Sequence, residues 1–180
     1  MKNINLKTGQ KIVLEGKEYT IIENVEGTKY KVLAKDCFKY FFDKSNDDRY
    51  SMSSIARYLD NDYYNLLPKN IKSSIVEISI EQKIAIISRE NEPLWLDKIR
   101  NAGIHKIFVP SYDEIVKLYG PENLKAYAPT NWLWLRDSCD GGCLLVSSYF
   151  LQWGRPCEDW NHYVRPAMVL DLSKVDFKVK

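Results

Sequence analysis

Trp132-Leu133-Trp134-Leu135-Arg136 and, further on, Tyr163-Val164-Arg165-Pro166-Ala167-Met168-Val169-Leu170 are the two stretches on which the fold turns. The first alternates in bulk and polarity with a period of two, which predicts a strand. The second is β-branched and apolar with a proline near its start, which also reads as a strand. Each holds one arginine in apolar surroundings. Arginine is seldom buried unpaired, so Arg136 and Arg165 are expected to tie a loop carbonyl or a carboxylate. Asp137, Asp140 and Asp171 are the partners nearest in sequence. Trp134, Arg136 and Arg165 then form a structural frame around the segment 137–162.

Working outward, residues 1–45 read as a β-meander. Lys11–Leu14, Tyr19–Ile22, Tyr30–Leu33 and Phe38–Phe42 are short apolar runs, broken at Gly16 and Glu26-Gly27. Cys37 falls on one of these strands and is expected in the core. Residues 51–125 form a largely helical middle part. A helix starts at 51–54, carries Ile55, Leu59 and Tyr63 on one side, and stops at Pro68. Strands follow at 76–80 and 84–87. Pro93 and Gly103 bracket a helix over 94–102. After a strand at 107–109, Ser111 and Glu114 make a capping box for a short helix that ends at Gly120. Residues 130–172 close the domain. There a loop is expected at 137–142, a strand at 144–150 and an irregular polar-aromatic segment at 152–162. The whole chain, 1–180, reads as one domain, α+β in class.

Composition narrows the function. Lys and Arg number 26 against 24 Asp and Glu, and the lysines are scattered, so nucleic-acid binding is not expected. No apolar run is long enough to span a membrane. Met1 to Lys7 lacks the apolar run of an export signal, so a cytoplasmic location is expected, or a virion-associated one for a phage structural component. Aromatic residues make up 13%, and Tyr and Trp are side chains that recognition surfaces favour.

The cysteines leave three readings open. Cys139, Cys143, Cys157 and His162 could hold zinc, although the C-x3-C spacing is not that of a zinc knuckle. They could be ordinary reduced thiols. Or a disulfide could join Cys139 to Cys143, or Cys143 to Cys157. Calcium would need more oxygen ligands than Glu158-Asp159-Trp160-Asn161, or Asp137 and Asp140 with Gly141-Gly142, supply. There is no P-loop and no G-x-S-x-G, and neither His105 nor His162 has a nucleophile beside it in sequence.

Three landmarks carry a resemblance: Ser51-Met52-Ser53-Ser54-Ile55-Ala56-Arg57-Tyr58-Leu59 with Asp62-Tyr63-Tyr64; Lys106-Ile107-Phe108-Val109-Pro110-Ser111-Tyr112-Asp113-Glu114; and Trp132–Arg136 closed by Tyr163–Ala167. Together, from about Gly9 to Leu172, they resemble an uncharacterised domain family of Firmicutes and their phages with a W-W-L-R-S … V-R-P-A signature. That family in turn resembles the C-type-lectin-like fold of formylglycine-generating enzymes. The resemblance implies a mixed α+β domain with a twisted antiparallel core and a ligand surface over 137–162. Asp137 departs from the usual serine, Val109-Pro110 stands in place of an apolar pair, and the three cysteines of 137–162 are extra to the family.

The resulting expectation is a non-enzymatic recognition domain for a protein or glycan, without a cofactor, of bacterial or phage origin. Its contacts would be Tyr149, Trp153, Arg155, Glu158, Asp159, Trp160, Asn161 and His162, with Trp153, Arg155 and Trp160 as anchors. Two alternatives stand beside it. One is a phage-encoded inhibitor of a host enzyme using the same loops. The other is a metal-dependent, copper-loaded cysteine oxidase built on Cys139 and Cys143.

Overall fold

In the computed structural model, which describes residues 4–45, 47–87, 93–128, 132–139, 142–147, 151–155, 157–158 and 162–180, β1 (Lys11–Leu14) turns back into β2 (Lys17–Glu26) through Glu15 and Gly16. Both turn residues have positive φ, 47° and 76°, as the tightest hairpins require, and glycine meets that demand without strain. β3 (Lys29–Ala34) completes the expected meander, each strand antiparallel to the last. β4 (Phe38–Lys39) follows but joins another sheet.

Ser53 caps α1 (Ser54–Tyr58), its hydroxyl accepting from the amide of Ala56 at 3.2 Å. A π-helical turn at Leu59–Tyr63 carries the helix on into α2 (Tyr64–Leu66), and Pro68 precedes α3 (Lys69–Ser74). β5 (Ile75–Val76) is brief. β6 (Ile78–Ile87) and β7 (Pro93–His105) then form a long antiparallel hairpin. The helix expected over 94–102 is therefore a strand. Gly103 does not end a helix: at φ 99° it sits at a bulge opposite Ile80 and Glu81, where a Cβ would lie 3.2 Å from the His105 ring.

β8 (Ile107–Phe108) leads to α4 (Tyr112–Tyr119). Here the capping box is complete, Ser111 Oγ accepting from the Glu114 amide while the Glu114 carboxylate accepts from the Ser111 amide. β9 (Leu133–Cys139), β10 (Gly142–Val146) and β11 (Leu151–Arg155) form a meander in turn, so 137–139 extend the strand where a loop is expected, and part of the supposedly irregular 152–162 is strand. The last expected strand is two. β12 (Tyr163–Val164) and β13 (Ala167–Asp171) are separated by Arg165-Pro166, and β14 (Lys178–Val179) ends the chain against β1.

Two sheets result. One runs β14-β1-β2-β3-β13-β5, with β8 also on β13 and every pairing antiparallel. The other runs β11-β10-β9-β12-β4, with β6 parallel to the far half of β9 and β7 outside it. Among the described residues fourteen strands stand against four α-helices of three to eight residues. The chain is closer to all-β than to the α+β class, and to the mixed lectin-like arrangement, that the sequence suggests. The difference lies in the middle part, where the long β6–β7 hairpin replaces the expected helix. β9 and β10 are buried at every position, so one apolar cluster joins side chains of both sheets. No helix among the described residues is long and apolar enough to cross a membrane.

Candidate functional site

β9 positions the closing segment. Its Trp134 is fully buried, donates from Nε1 to the Tyr40 carbonyl at 2.8 Å, and packs edge-on against Phe42 and His162 at 5.7 and 5.0 Å. Two residues on, Arg136 lies in the interior and makes a two-pronged ion pair with Glu114, at 2.7 and 3.2 Å. It also donates to the carbonyls of Glu81 (2.6 Å) and Val109 (3.1 Å), so one side chain ties β9 to α4, β6 and the end of β8. The partner is thus none of the aspartates nearest in sequence. Glu114 accepts as well from Lys31 Nζ at 2.8 Å. Burial works against its charge, but Arg136 and Lys31 outweigh that and hold the carboxyl at about 2.

Asp137 is equally buried and anchors backbone. Its oxygens accept from the amides of Lys83 (2.9 Å) and Tyr112 (2.6 Å). Burial lifts its carboxyl to about 6, against the pull of Arg136 and those amides. Arg165, between β12 and β13, donates to the carbonyls of Ala34 (2.7 Å) and Tyr127 (3.3 Å) and to the Tyr119 hydroxyl (3.3 Å), over the Tyr127 ring.

Of the readings open for the cysteines, the structure has the Cys143–Cys157 disulfide, with Cα atoms 5.5 Å apart. It removes two of the four candidate zinc ligands and excludes a Cys139–Cys143 bridge; Cys139 is buried and outside any disulfide. Cys37 is the reverse of the core residue expected: it is free and exposed, in the link between β3 and β4. The described residues hold no group of three metal-ligating side chains.

The expected contact residues scatter. His162 is buried against Trp134 and Trp132 and faces the core. Glu158 is exposed. Trp153 and Arg155 stand on β11, the outermost strand beyond β10, and only their backbone is described. Tyr149, Asp159, Trp160 and Asn161 lie outside the described residues.

Two features had no clear sequence signal. The first is a dyad of a buried histidine and a half-buried aspartate. His105 Nδ1 lies 2.6 Å from Asp60 Oδ2, and its Nε2 lies 2.7 Å from the Ala102 carbonyl. Asp60, in the π turn, also accepts from the amides of Lys106 and Ile107. A carboxylate and a carbonyl only accept, so an imidazole that satisfies both must carry two protons. Burial opposes that charge, as does Arg136, but the bonds to Asp60 and Ala102 raise its pKa above 6.5. The unfolded chain then loses this proton first, and the stabilisation, complete below about 6.5, fades as pH rises through the folded-state value. Denaturant titrations from about pH 6.5 upward should show stability falling with pH. In His105→Gln, whose amide cannot donate to both acceptors as an imidazolium does, stability should be lower and that limb flatter. Asp137, lifted by burial to about 6, adds a fall of its own at the lower edge of this range, and that part persists in His105→Gln.

The second is a cleft of about 530 Å³ between the meander, the end of α4 and Arg165, lined also by Lys11, Glu18, Lys35 and Cys37. Glu18 receives Lys180 at 2.6 Å and Lys11 at 3.1 Å, with Lys35 at 4.0 Å. The hydrogen bonds to Lys180 and Lys11 hold its carboxyl at about 2.

A family model described as a domain of unknown function, DUF6273, matches residues 28–172. The chain belongs to the DUF6273 family. No curated protein matches it, and no solved structure does. The region matched as DUF6273 opens at the β2–β3 turn and ends just past β13. It therefore contains the Arg136–Glu114 pair, the disulfide and the Asp60–His105 dyad. It leaves out Lys11 and Glu18, two of the four charged residues that line the cleft, and Lys180, which pairs with Glu18.

Proposed function

We propose that this DUF6273 domain is a non-enzymatic recognition domain of a Firmicute or its phages, binding a protein through its 137–162 segment and the adjoining β6–β7 hairpin. One observation carries the reading. Ile86, Leu94, Ile99 and Ile104, at 36, 54, 55 and 68% exposure, all stand on that hairpin. Apolar side chains gathered on one exposed element mark interaction sites more often than they decorate a surface. The hairpin adjoins the segment directly, Ala85 pairing with Cys139. The disulfide ties Cys157, late in the segment, back to Cys143 on its β10 strand, limiting the ordering entropy lost on binding. Among the described residues β7 and β11 each pair on one side only, and such edges suit an extended stretch of a partner protein better than a sugar.

The test uses the intact chain as bait, then the purified partner in a binding titration. Leu94→Asp and Trp160→Ala are each expected to weaken the complex about 30-fold or more, as hot-spot truncations do, while melting temperatures stay within a few degrees. Wild-type affinity in both variants, or capture of a glycan in place of a protein, would overturn the reading. If the partner is an enzyme, its assay in the complex tells an inhibitor from an adaptor.

A further inference from the structure

We propose that the cleft between the meander and α4 is a binding site for a small organic anion, its carboxylate held by Arg165 and Lys35 and its apolar body by Leu118, Ala126 and Tyr127. The cleft is built apart from the 137–162 segment, so this site stands or falls independently of the recognition surface.

Charge is the first argument. Lys11, Lys35 and Arg165 line the cleft, and Glu18 is the one carboxylate among the described residues that does. Glu18 is shared among Lys11, Lys180 and, at 4.0 Å, Lys35, so a single carboxylate answers three ammonium groups and none of the Arg165 charge. Arg165 is fixed by two carbonyls and a hydroxyl, all neutral, and no carboxylate among the described residues lies within ion-pair distance of it. A guanidinium oriented in advance, with no carboxylate paired to it among the described residues, focuses a positive potential in a concave, partly apolar site. Its Nε and Nη1 hydrogens are taken by the two carbonyls and the hydroxyl, so Nη2 is the nitrogen turned to the carboxylate, through a charge-assisted hydrogen bond. Shape is the second argument. The volume, about 530 Å³, suits a small molecule, and Tyr127, Leu118 and Ala126 give it a largely apolar wall.

Cys37 supplies the readout, because it lines the cleft and is the exposed free thiol, whereas Cys139 is buried. Its alkylation by iodoacetamide, followed by intact mass at constant ionic strength, reports occupancy. Benzoate is the probe, with benzamide as its neutral counterpart and inorganic phosphate as an anion without an apolar body. Benzoate should slow alkylation in a saturable way, while benzamide and phosphate leave the rate unchanged. Lys35→Gln, at an exposed position where folding is not at stake, should weaken the protection about tenfold, the effect of one charged hydrogen bond. Arg165→Gln should abolish it, with a melting curve to confirm that the variant is folded. An unchanged rate in benzoate, equal protection by benzamide or by phosphate, or full protection in Lys35→Gln would each overturn the proposal.

Discussion

Arg136→Met is expected to cost about 3–5 kcal/mol of folding stability, the range seen when one partner of a buried ion pair is removed. The loss has two parts. Glu114 would keep its charge in the interior with only Lys31 to answer it, and the carbonyls of Glu81 and Val109 would lose their donor. The double variant Arg136→Met, Glu114→Leu separates these parts. It removes both charges together, so it should recover a good share of the loss, but not all, because the two carbonyls stay unsatisfied. Urea titrations of the wild type, the two single variants and the double variant close the cycle. A double variant no more stable than Arg136→Met alone would show that the carbonyls, and not the stranded carboxylate, dominate.

Trp134→Ala should be comparably damaging, about 3–5 kcal/mol, through the cavity left by a fully buried indole in a strand with no exposed face. Trp134→Phe keeps most of the volume but drops the Nε1 hydrogen bond to Tyr40, so it should cost roughly 1–3 kcal/mol. The indole joins β9 to the stretch before α1 and supports the His162 ring, so its effect should extend to the closing segment. Faster hydrogen exchange at the amides of Tyr40 and Tyr163, whose acceptors are the carbonyls of His162 and Trp132, is the local signature to look for. Unchanged exchange there, with global stability lowered, would place the damage elsewhere in the core.

Local chemistry was legible in the sequence where a single element decides its own structure. Ser111 and Glu114 announce α4 because a capping box is a contract between residues three apart. Gly16 announces the first hairpin for a similar reason. The reading failed where one local signal has two physical meanings. Gly103 looks the same as a helix stop and as a bulge, and only the β6 partner, with the crowding of His105, distinguishes them. The site was legible in its frame and obscure in its partners. Burial alone says that Arg136 ties an oxygen acceptor, yet its carboxylate, Glu114, lies 22 positions away, farther than Asp137 and Asp140, which sequence proximity favours. Lys180 and Glu18 meet across 162 positions, so no periodicity could have placed a cation-rich cleft there. Asp60 and His105 belong to a π turn and a strand end, and neither announces the other.

The position of β13 also bears on how the chain is made. This strand occupies the middle of its sheet, between β3 and the pair β5 and β8, yet it comes from residues 167–171. β12, just before it, seats on β9. At translation speeds of about 5–20 residues per second, β3 emerges from the ribosome on the order of ten seconds before its neighbour exists. During that interval the meander presents an unpaired edge at Lys29–Ala34, open to any other nascent strand. Both sheets thus wait on residues 163–171 for a central strand, and until those residues are made the Lys29–Ala34 edge is the one to be shielded.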